Sequence, residues 1–353
     1  MRGCPHARYS DARGRKSTDT FNCVTSIDLA VVGKMADALF APDAAHGISL
    51  ALVVMQSGEI VAEHYGHQPD TVFGPGGPVT AESTLVSWSM AKSITHAAVG
   101  ILVGEGRLQL NEPAPVAEWM GTAKEAITLQ HLLNMRPGLE FVEDYVDDAV
   151  SHCLEMLYGA GKDDMGGYAA GLPLIHQPGA EWNYSSGTTN IVARIVGQKV
   201  GGGDAAVREE RMTAFLRDRL FEPTGMHSAI PKFDTAGTFI GSSYVYATAR
   251  DFARFGELYR CDGVAADGTR VLPTGWRDHA RALTAHDPDG FDYGAHWWLW
   301  PDFPGSFGCH GYEGQYTVVV PDRELVVVHL GKSPIDKRPA LTDRLRDIFC
   351  AAT

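Results

Sequence analysis

The chain has 353 residues, 44% hydrophobic and 21% charged, the proportions of an ordinary globular protein. That length exceeds what one hydrophobic core usually serves, so one large domain carrying a substantial insertion is expected. Lys and Arg number 30 against 43 Asp and Glu, and the formal charge of −13 repels phosphate backbones, which argues against nucleic acid as a partner.

Six cysteines (Cys4, Cys23, Cys153, Cys261, Cys309 and Cys350) are scattered without CxxC spacing. A chain this long needs no disulfide staples, so free thiols in a reducing compartment are expected. The first residues hold no continuous apolar run of the signal-peptide kind, and no stretch reaches transmembrane length. A cytoplasmic protein without a membrane partner is the expectation.

In chain order, residues 1–24 are polar and read as a disordered extension. Residues 26–40 carry apolar positions at helical spacing (Leu29, Val32, Met35, Ala36, Leu39) and predict an amphipathic helix. Two β-rich runs, 48–55 and 60–65, flank Ser57-Gly58 and predict a hairpin. The Gly/Pro-rich segment 67–78 predicts loop. Residues 89–102 predict a buried helix, with Ile94, Ala97, Ala98, Ile101 and Leu102 on one face. Thr128 reads as the N-cap of a helix over 129–135, stopped by Pro137-Gly138. Further helices are predicted over 190–200, 208–220, 249–260 and 341–349. Strands are predicted near 244–247 and as a hairpin over 316–320 and 325–330. Strands at both ends with helices between them predict an α+β fold. It would be one antiparallel sheet flanked by helices, an α/β lobe of 25–105 and 226–353, with an all-helical lobe of 106–225 inserted.

Three elements carry chemistry. Ser89-Met90-Ala91-Lys92 is an S-x-x-K motif at the start of the buried helix, and occurs once in the chain. Positions i and i+3 share a helical face, so the amine can reach the hydroxyl. Desolvation favours a neutral amine, which can then act as a base. Taken alone the pattern is also that of a surface Ser and Lys on any helix. Here, however, the polar pair interrupts an apolar run. Second, Tyr184 stands in Asn183-Tyr184-Ser185-Ser186-Gly187-Thr188, before a helix, where a phenol could relay protons. By itself a packed Tyr is the simpler account. Third, the glycines of Gly308-Cys309-His310-Gly311-Tyr312-Glu313-Gly314-Gln315 let backbone approach a ligand, and N–H groups there could complete an oxyanion hole.

Together these elements resemble the penicillin-recognising serine hydrolases: class C β-lactamases, DD-peptidases, family VIII esterases and aminohexanoate-dimer hydrolases. Thr128-Leu129-Gln130-His131-Leu132-Leu133-Asn134-Met135 and 246–256 look like the esterase and aminohexanoate branch. The resemblance spans roughly 48–330 and implies a β-lactamase-like fold and a serine hydrolase without metal or organic cofactor. It implies Ser89 as acylated nucleophile, Lys92 as base and Tyr184 as proton relay. The backbone N–H groups of Ser89 and Tyr312 would form the oxyanion hole, or Glu313 in place of Tyr312 if the register moves by one. Ser186, His310, Gly311, Glu313 and Trp298 are the implied substrate contacts.

Two positions depart from the pattern. The family's Tyr-x-Asn is Tyr184-Ser185-Ser186, and its Lys-Thr-Gly is replaced by Cys309-His310-Gly311 or His310-Gly311-Tyr312. Neutral His is a poor carboxylate partner, so small-molecule esters or amides rank above β-lactams and peptidoglycan. A non-catalytic binding protein on the same fold is the reading from another class. His64 and His67 have metal-compatible spacing but read as surface residues, Asp287-Pro288-Asp289-Gly290 reads as a turn, and no metal site is expected. Cys309 reads as structural. Of Trp297, Trp298 and Trp300, at least one is expected to line a pocket.

Overall fold

A computed structural model describes residues 27–71, 74–145, 150–288 and 290–352. The polar extension expected over 1–24 lies outside the described residues.

Helix α1 spans Leu29–Leu39 and starts where Asp28 Oδ1 accepts from the N–H groups of Ala30 and Val31. Strands β1 (Ile48–Gln56) and β2 (Glu59–Tyr65) form the predicted hairpin. Ser57 and Gly58 turn it with φ of 53° and 85°. The segment predicted as loop contains a two-residue ladder, β3 (His67–Gln68) on β4 (Gly77–Pro78), because backbone pairing needs no side-chain pattern. After β5 (Leu85–Val86), a 3-10 turn over Trp88–Met90 leads into α2 (Ala91–Gly104), whose residues 91–102 are all buried. Its small residues permit that depth: a Cβ on Gly100 would lie 2.4 Å from Trp276 Nε1.

Short helices follow. They are α3 (Leu129–Leu133), closed at its start by Thr128 and His131 in a capping box, α4 (His152–Tyr158) and α5 (Met165–Gly171). Helices α4 and α5 had no clear periodicity in the sequence, and each is set by a side-chain cap, from Ser151 and Asp164. Helix α6 (Ser186–Gly201) begins four residues before the predicted 190, because Ser185 Oγ accepts from Thr188 N–H and caps it there. Next come α7 (Ala205–Leu216), a π turn at Arg217–Phe221 and α8 (Glu222–Thr224). Strands β6 (Ile230–Pro231) and β7 (Val245–Ala247) complete a small sheet with β5. Helices α9 (Ala249–Arg260) and α10 (Trp276–Ala280) precede the last strands: β8 (Ala285–His286), β9 (Asp292–Tyr293), β10 (Trp298–Leu299), β11 (Phe307–Gly311), β12 (Gln315–Val320) and β13 (Leu325–Lys332). Helix α11 (Arg338–Ala351) ends the described chain.

The main sheet has eight strands in the order β2-β1-β13-β12-β11-β10-β9-β8, antiparallel throughout. Strand β1 pairs with β13, so both ends of the chain join in one sheet, as the patterning predicted. Alternation sends Leu52 and Val54 to the face covered by α1 and α11 (Val32, Leu39, Leu345, Phe349). It sends Ala51 and Val53 to the face covered by α2 and α9 (Ile94, Ala98, Phe252, Phe255). Each fully buried Val, Leu, Ile or Phe side chain here stabilises the fold by about 1.5–3 kcal/mol. Cys153, Cys309 and Cys350 are free thiols, but Cys261 is disulfide-bonded, which corrects the expectation of thiols throughout. A disulfide at Cys261 does not favour a reducing compartment. Among the described residues no helix is long and apolar enough to cross a membrane, and no cluster of three or more metal-ligating side chains forms.

Helix α9 lies so close to the sheet that a Cβ on Gly256 would stand 2.6 Å from Val326 Cγ1 and 3.0 Å from Thr317 Cγ2. Gly256→Ala should therefore lower the unfolding free energy by about 1–3 kcal/mol through overpacking, read as an earlier urea midpoint with unchanged slope.

Candidate active site

Ser89 sits in the 3-10 turn rather than in regular helix, immediately after Trp88, whose φ is 43°. Lys92 follows in the first turn of α2 and is only 2% exposed. Its Nζ lies 2.9 Å from Ser89 Oγ, 2.9 Å from Ser186 Oγ and 3.1 Å from the Ser242 carbonyl. Those partners come from the start of α2, the start of α6 and the segment before β7. Asn190 Oδ1 accepts from Ser242 N–H at 3.1 Å, which aims the neighbouring carbonyl at the amine.

Tyr184 places its ring centroid 4.9 Å from Lys92 Nζ. Burial pushes its phenol above the ordinary value, while the Lys92 charge and hydrogen bonding toward Ser89 and Lys92 pull it down. The net upward shift favours a neutral phenol, so a proton relay fits this site better than a resting phenolate.

A cavity of about 560 Å³ opens at Ser89, with Tyr184, Trp298, His310, Gly311, Tyr312 and Glu313 in its wall. Strand β11 runs against the Ser89 turn so closely that a Cβ on Gly311 would stand 2.4 Å from the Ser87 carbonyl oxygen, which accounts for glycine there. Tyr312 follows directly, and Glu313 turns the chain with φ of 60°. Trp88 Nε1–H donates to Glu313 Oε2 at 3.3 Å, joining the two left-handed residues that flank Ser89 and Tyr312. Behind this turn a hydrogen-bonded chain runs through the sheet. His46 Nε2 lies 3.0 Å from Ser49 Oγ, Ser49 donates to His329 Nε2 (2.8 Å), and His329 Nδ1–H donates to the Gly314 carbonyl (2.7 Å).

Alternation along β11 separates Cys309 from His310. Cys309 packs toward α2 with its thiol pushed up to about 12 by burial, a structural role as expected. His310 faces α11 and stacks on Trp298 at 5.4 Å with rings 4° from parallel. Trp300 Nε1 can only donate, and it donates to His310 Nε2 at 3.0 Å. A neutral His310 therefore carries its proton on Nδ1, which has no hydrogen-bond partner among the described residues. Burial, with Arg338 and Arg346 nearby, holds His310 well below the ordinary imidazole value and thus uncharged at neutral pH. Trp298 is the tryptophan of its group in the cavity wall, whereas Trp297 is fully buried between Tyr259 and Phe307.

Ser186 differs from its expected place. It is 1% exposed and absent from the cavity wall, so it is not positioned as a substrate contact. Its hydroxyl donates to Glu143 Oε1 at 2.6 Å and its N–H to Oε2 at 2.7 Å. Glu143 and Arg338, both in the cavity wall, were not singled out from the sequence. An acidic residue in a loop and an arginine at a helix start are ordinary surface signals. Nothing local shows that Glu143 meets a residue 43 positions on.

Comparison with known proteins places this architecture. The Beta-lactamase family profile matches residues 36–348, and the chain belongs to that family. It is 27% identical to the 6-aminohexanoate-dimer hydrolase of Paenarthrobacter ureafaciens over 80% of this chain and 72% of that one. It is 27% identical to penicillin-binding protein 4 of Amycolatopsis lactamdurans over 78% and 79% of the two chains. The crystal structure of a family VIII carboxylesterase superposes with a TM-score of 0.68, covering 92% of this chain and 99% of that one at 15% identity, a likeness of fold. The protein is a serine hydrolase of the β-lactamase-like fold, similar in sequence to a 6-aminohexanoate-dimer hydrolase.

Burial lowers the His329 imidazole to about 4. Between about pH 6.5 and 4 the unfolded chain binds a proton that the native one does not, so stability falls as pH falls through that window and levels below it. His329→Gln should flatten this slope by up to about 3 kcal/mol, measured as urea-unfolding free energy at pH 7, 5.5 and 4.

Proposed function

We propose that Ser89 is the nucleophile of a two-stage acyl transfer, with Lys92 as its base and Tyr184 as proton relay. The observation that carries this reading is the buried Lys92 Nζ at 2.9 Å from Oγ of Ser89, which lines the cavity. Lys92 takes the Ser89 proton as Oγ adds to the substrate carbonyl carbon. The backbone N–H groups of Ser89 and Tyr312 hold the oxyanion, supported by the close seating of β11 on the Ser89 turn. Tyr184 passes a proton to the departing alcohol or amine, leaving the acyl group on Ser89. Water then attacks the acyl carbonyl, its proton returns through Tyr184 and Lys92, and Ser89 is released.

The favoured substrates are small esters and amides that do not require a carboxylate. Trp298, Trp182, Phe141 and Tyr184 give the cavity aromatic walls suited to an apolar acyl or leaving group. Neutral His310 in the cavity wall brings no positive charge for a substrate carboxylate. A second reading, β-lactam or DD-peptidase chemistry, draws on Arg338, which lies over the rings of Phe291 and Trp298 at 5.0 and 5.8 Å and brings positive charge to the wall.

Hydrolysis of a short-chain nitrophenyl ester, with nitrocefin in parallel, tests the proposal. Ser89→Ala should abolish the acylation burst and lower kcat by at least about 10³, and Tyr184→Phe should lower kcat by about 10²–10⁴. Nitrocefin turnover exceeding ester turnover would transfer the enzyme to the β-lactam branch. Equal activity of wild type and S89A would leave the catalytic assignment without support and bring forward the binding-protein reading.

Trp298→Ala should raise KM for aromatic or long-chain esters by about tenfold or more while changing acetate esters little, because it removes a wall that contacts only a larger group. A KM series over acyl-chain length measures this.

A further inference from the structure

We propose that Glu143, acting through the Ser186 hydroxyl, is the charge partner and orienting group of Lys92, and hence a positioning residue for its base function. The inference rests on the reading of Lys92 as the base for Ser89. It assigns Glu143 and Ser186 a role that the motif residues alone do not imply.

A carboxylate only accepts, so the 2.6 Å contact commits the Ser186 hydroxyl proton to Glu143 Oε1. Ser186 Oγ is then left as an acceptor toward Lys92 Nζ at 2.9 Å. The Ser242 carbonyl, at 3.1 Å, can only accept as well. A neutral amine has two N–H bonds and one lone pair. With both N–H bonds drawn to Ser186 and Ser242, the lone pair is left facing Ser89 Oγ, where the proton must come from. Without the carboxylate, Ser186 could turn its own proton toward Lys92 and compete with Ser89 for that lone pair. Once Lys92 has taken the Ser89 proton it is a buried cation, and burial of an unpaired cation is strongly unfavourable. One hydroxyl separates it from the Glu143 carboxylate.

The other titratable groups facing this pair do not supply a negative charge. Burial pushes the Tyr184 phenol and the Cys153 thiol upward, so both remain protonated. Tyr145, which donates its hydroxyl to Glu143 Oε1 at 2.7 Å, and Tyr293 are likewise pushed up by burial. His296 is lowered to about 3 by burial and stays neutral. Glu143 itself is tied by the Ser186 backbone N–H at 2.7 Å, which holds its position independently of the side-chain relay.

The experiment is the pH profile of the acylation rate, read from the nitrophenyl ester burst, in wild type, Glu143→Gln, Glu143→Asp and Ser186→Ala. Gln keeps the size and an oxygen acceptor but removes the charge. A nearby anion favours the ammonium form, so its loss should move the acid limb of E143Q to lower pH by about one unit. The plateau should fall about tenfold or more, and E143D should return the limb toward that of the wild type. A purely structural role would lower the plateau without moving the limb. An E143Q limb that coincides with the wild type, or one that E143D does not restore, overturns the proposal. Should E143Q fail to fold, S186A decides: an acid limb moved to lower pH supports the relay, and a limb that coincides with the wild type overturns it. Ser89→Ala, run beside them, keeps the two claims apart. An active S89A removes the base reading itself, whereas an inactive S89A with an unmoved E143Q limb removes only the role of Glu143.

Discussion

The burial of one lysine amine organises this molecule. Lys92 is almost wholly withdrawn from water, and such a group is tolerated only where its hydrogen-bonding capacity is met. Its three partners are Ser89, Ser186 and Ser242, the last 150 residues further along the chain than Lys92. The first turn of α2, the cap of α6 and the approach to β7 must therefore converge before the amine is satisfied. The convergence has its own supports. Asn190 holds the Ser242 peptide, Ser185 sets where α6 begins, and Ser87 Oγ donates to the Ser243 carbonyl at 3.2 Å. Each is a buried polar contact whose loss would leave a partner unsatisfied, so the site and the local fold are specified by the same interactions.

The sheet supplies the opposite wall. Strand β11 reaches the Ser89 turn only because Gly311 has no side chain to meet the Ser87 carbonyl. The chain then turns through Glu313 in the left-handed region, as it does at Trp88 on the facing side. Non-glycine residues in that region carry a conformational penalty and persist where the surroundings hold them. Here the Trp88–Glu313 hydrogen bond and the His46–Ser49–His329 chain do the holding. Two backbone segments are thus presented to one cavity with little freedom to rearrange, which is the condition for stabilising charge that develops on a bound carbonyl.

Much of this was legible in advance, and the reasons differ by element. The hairpin of β1 and β2, the pair β12 and β13, and α9 announced themselves because one or both faces are apolar in a regular period. Ser89, Lys92 and Tyr184 were identified because their types and order are unusual and mutually consistent. Short strands such as β3, β4 and β8–β10 escaped because two residues cannot display a period. Ser186 was read as a substrate contact since it occupies the position after Tyr184 where an amide was expected. Its actual orientation, away from the cavity and between Lys92 and Glu143, depends on a loop more than 40 residues earlier. Cys309 and His310 could not be assigned to sides until strand pairing gave β11 its register against β12.

What the sequence alone determined is the chemistry available: a serine and a lysine one turn apart on a buried helix, a tyrosine before another helix, and a glycine-bearing strand, in an order that resembles one family of acyl-transfer enzymes. These are local facts of spacing and residue type, and spacing along a helix already decides which side chains can meet. Tertiary structure decided which groups surround the amine, which tautomer His310 takes, and that Arg338 and Glu143 stand in the cavity wall. Those outcomes depend on contacts between segments far apart in the chain. Burial and hydrogen-bond complementarity set such contacts, and no pattern within either segment encodes them.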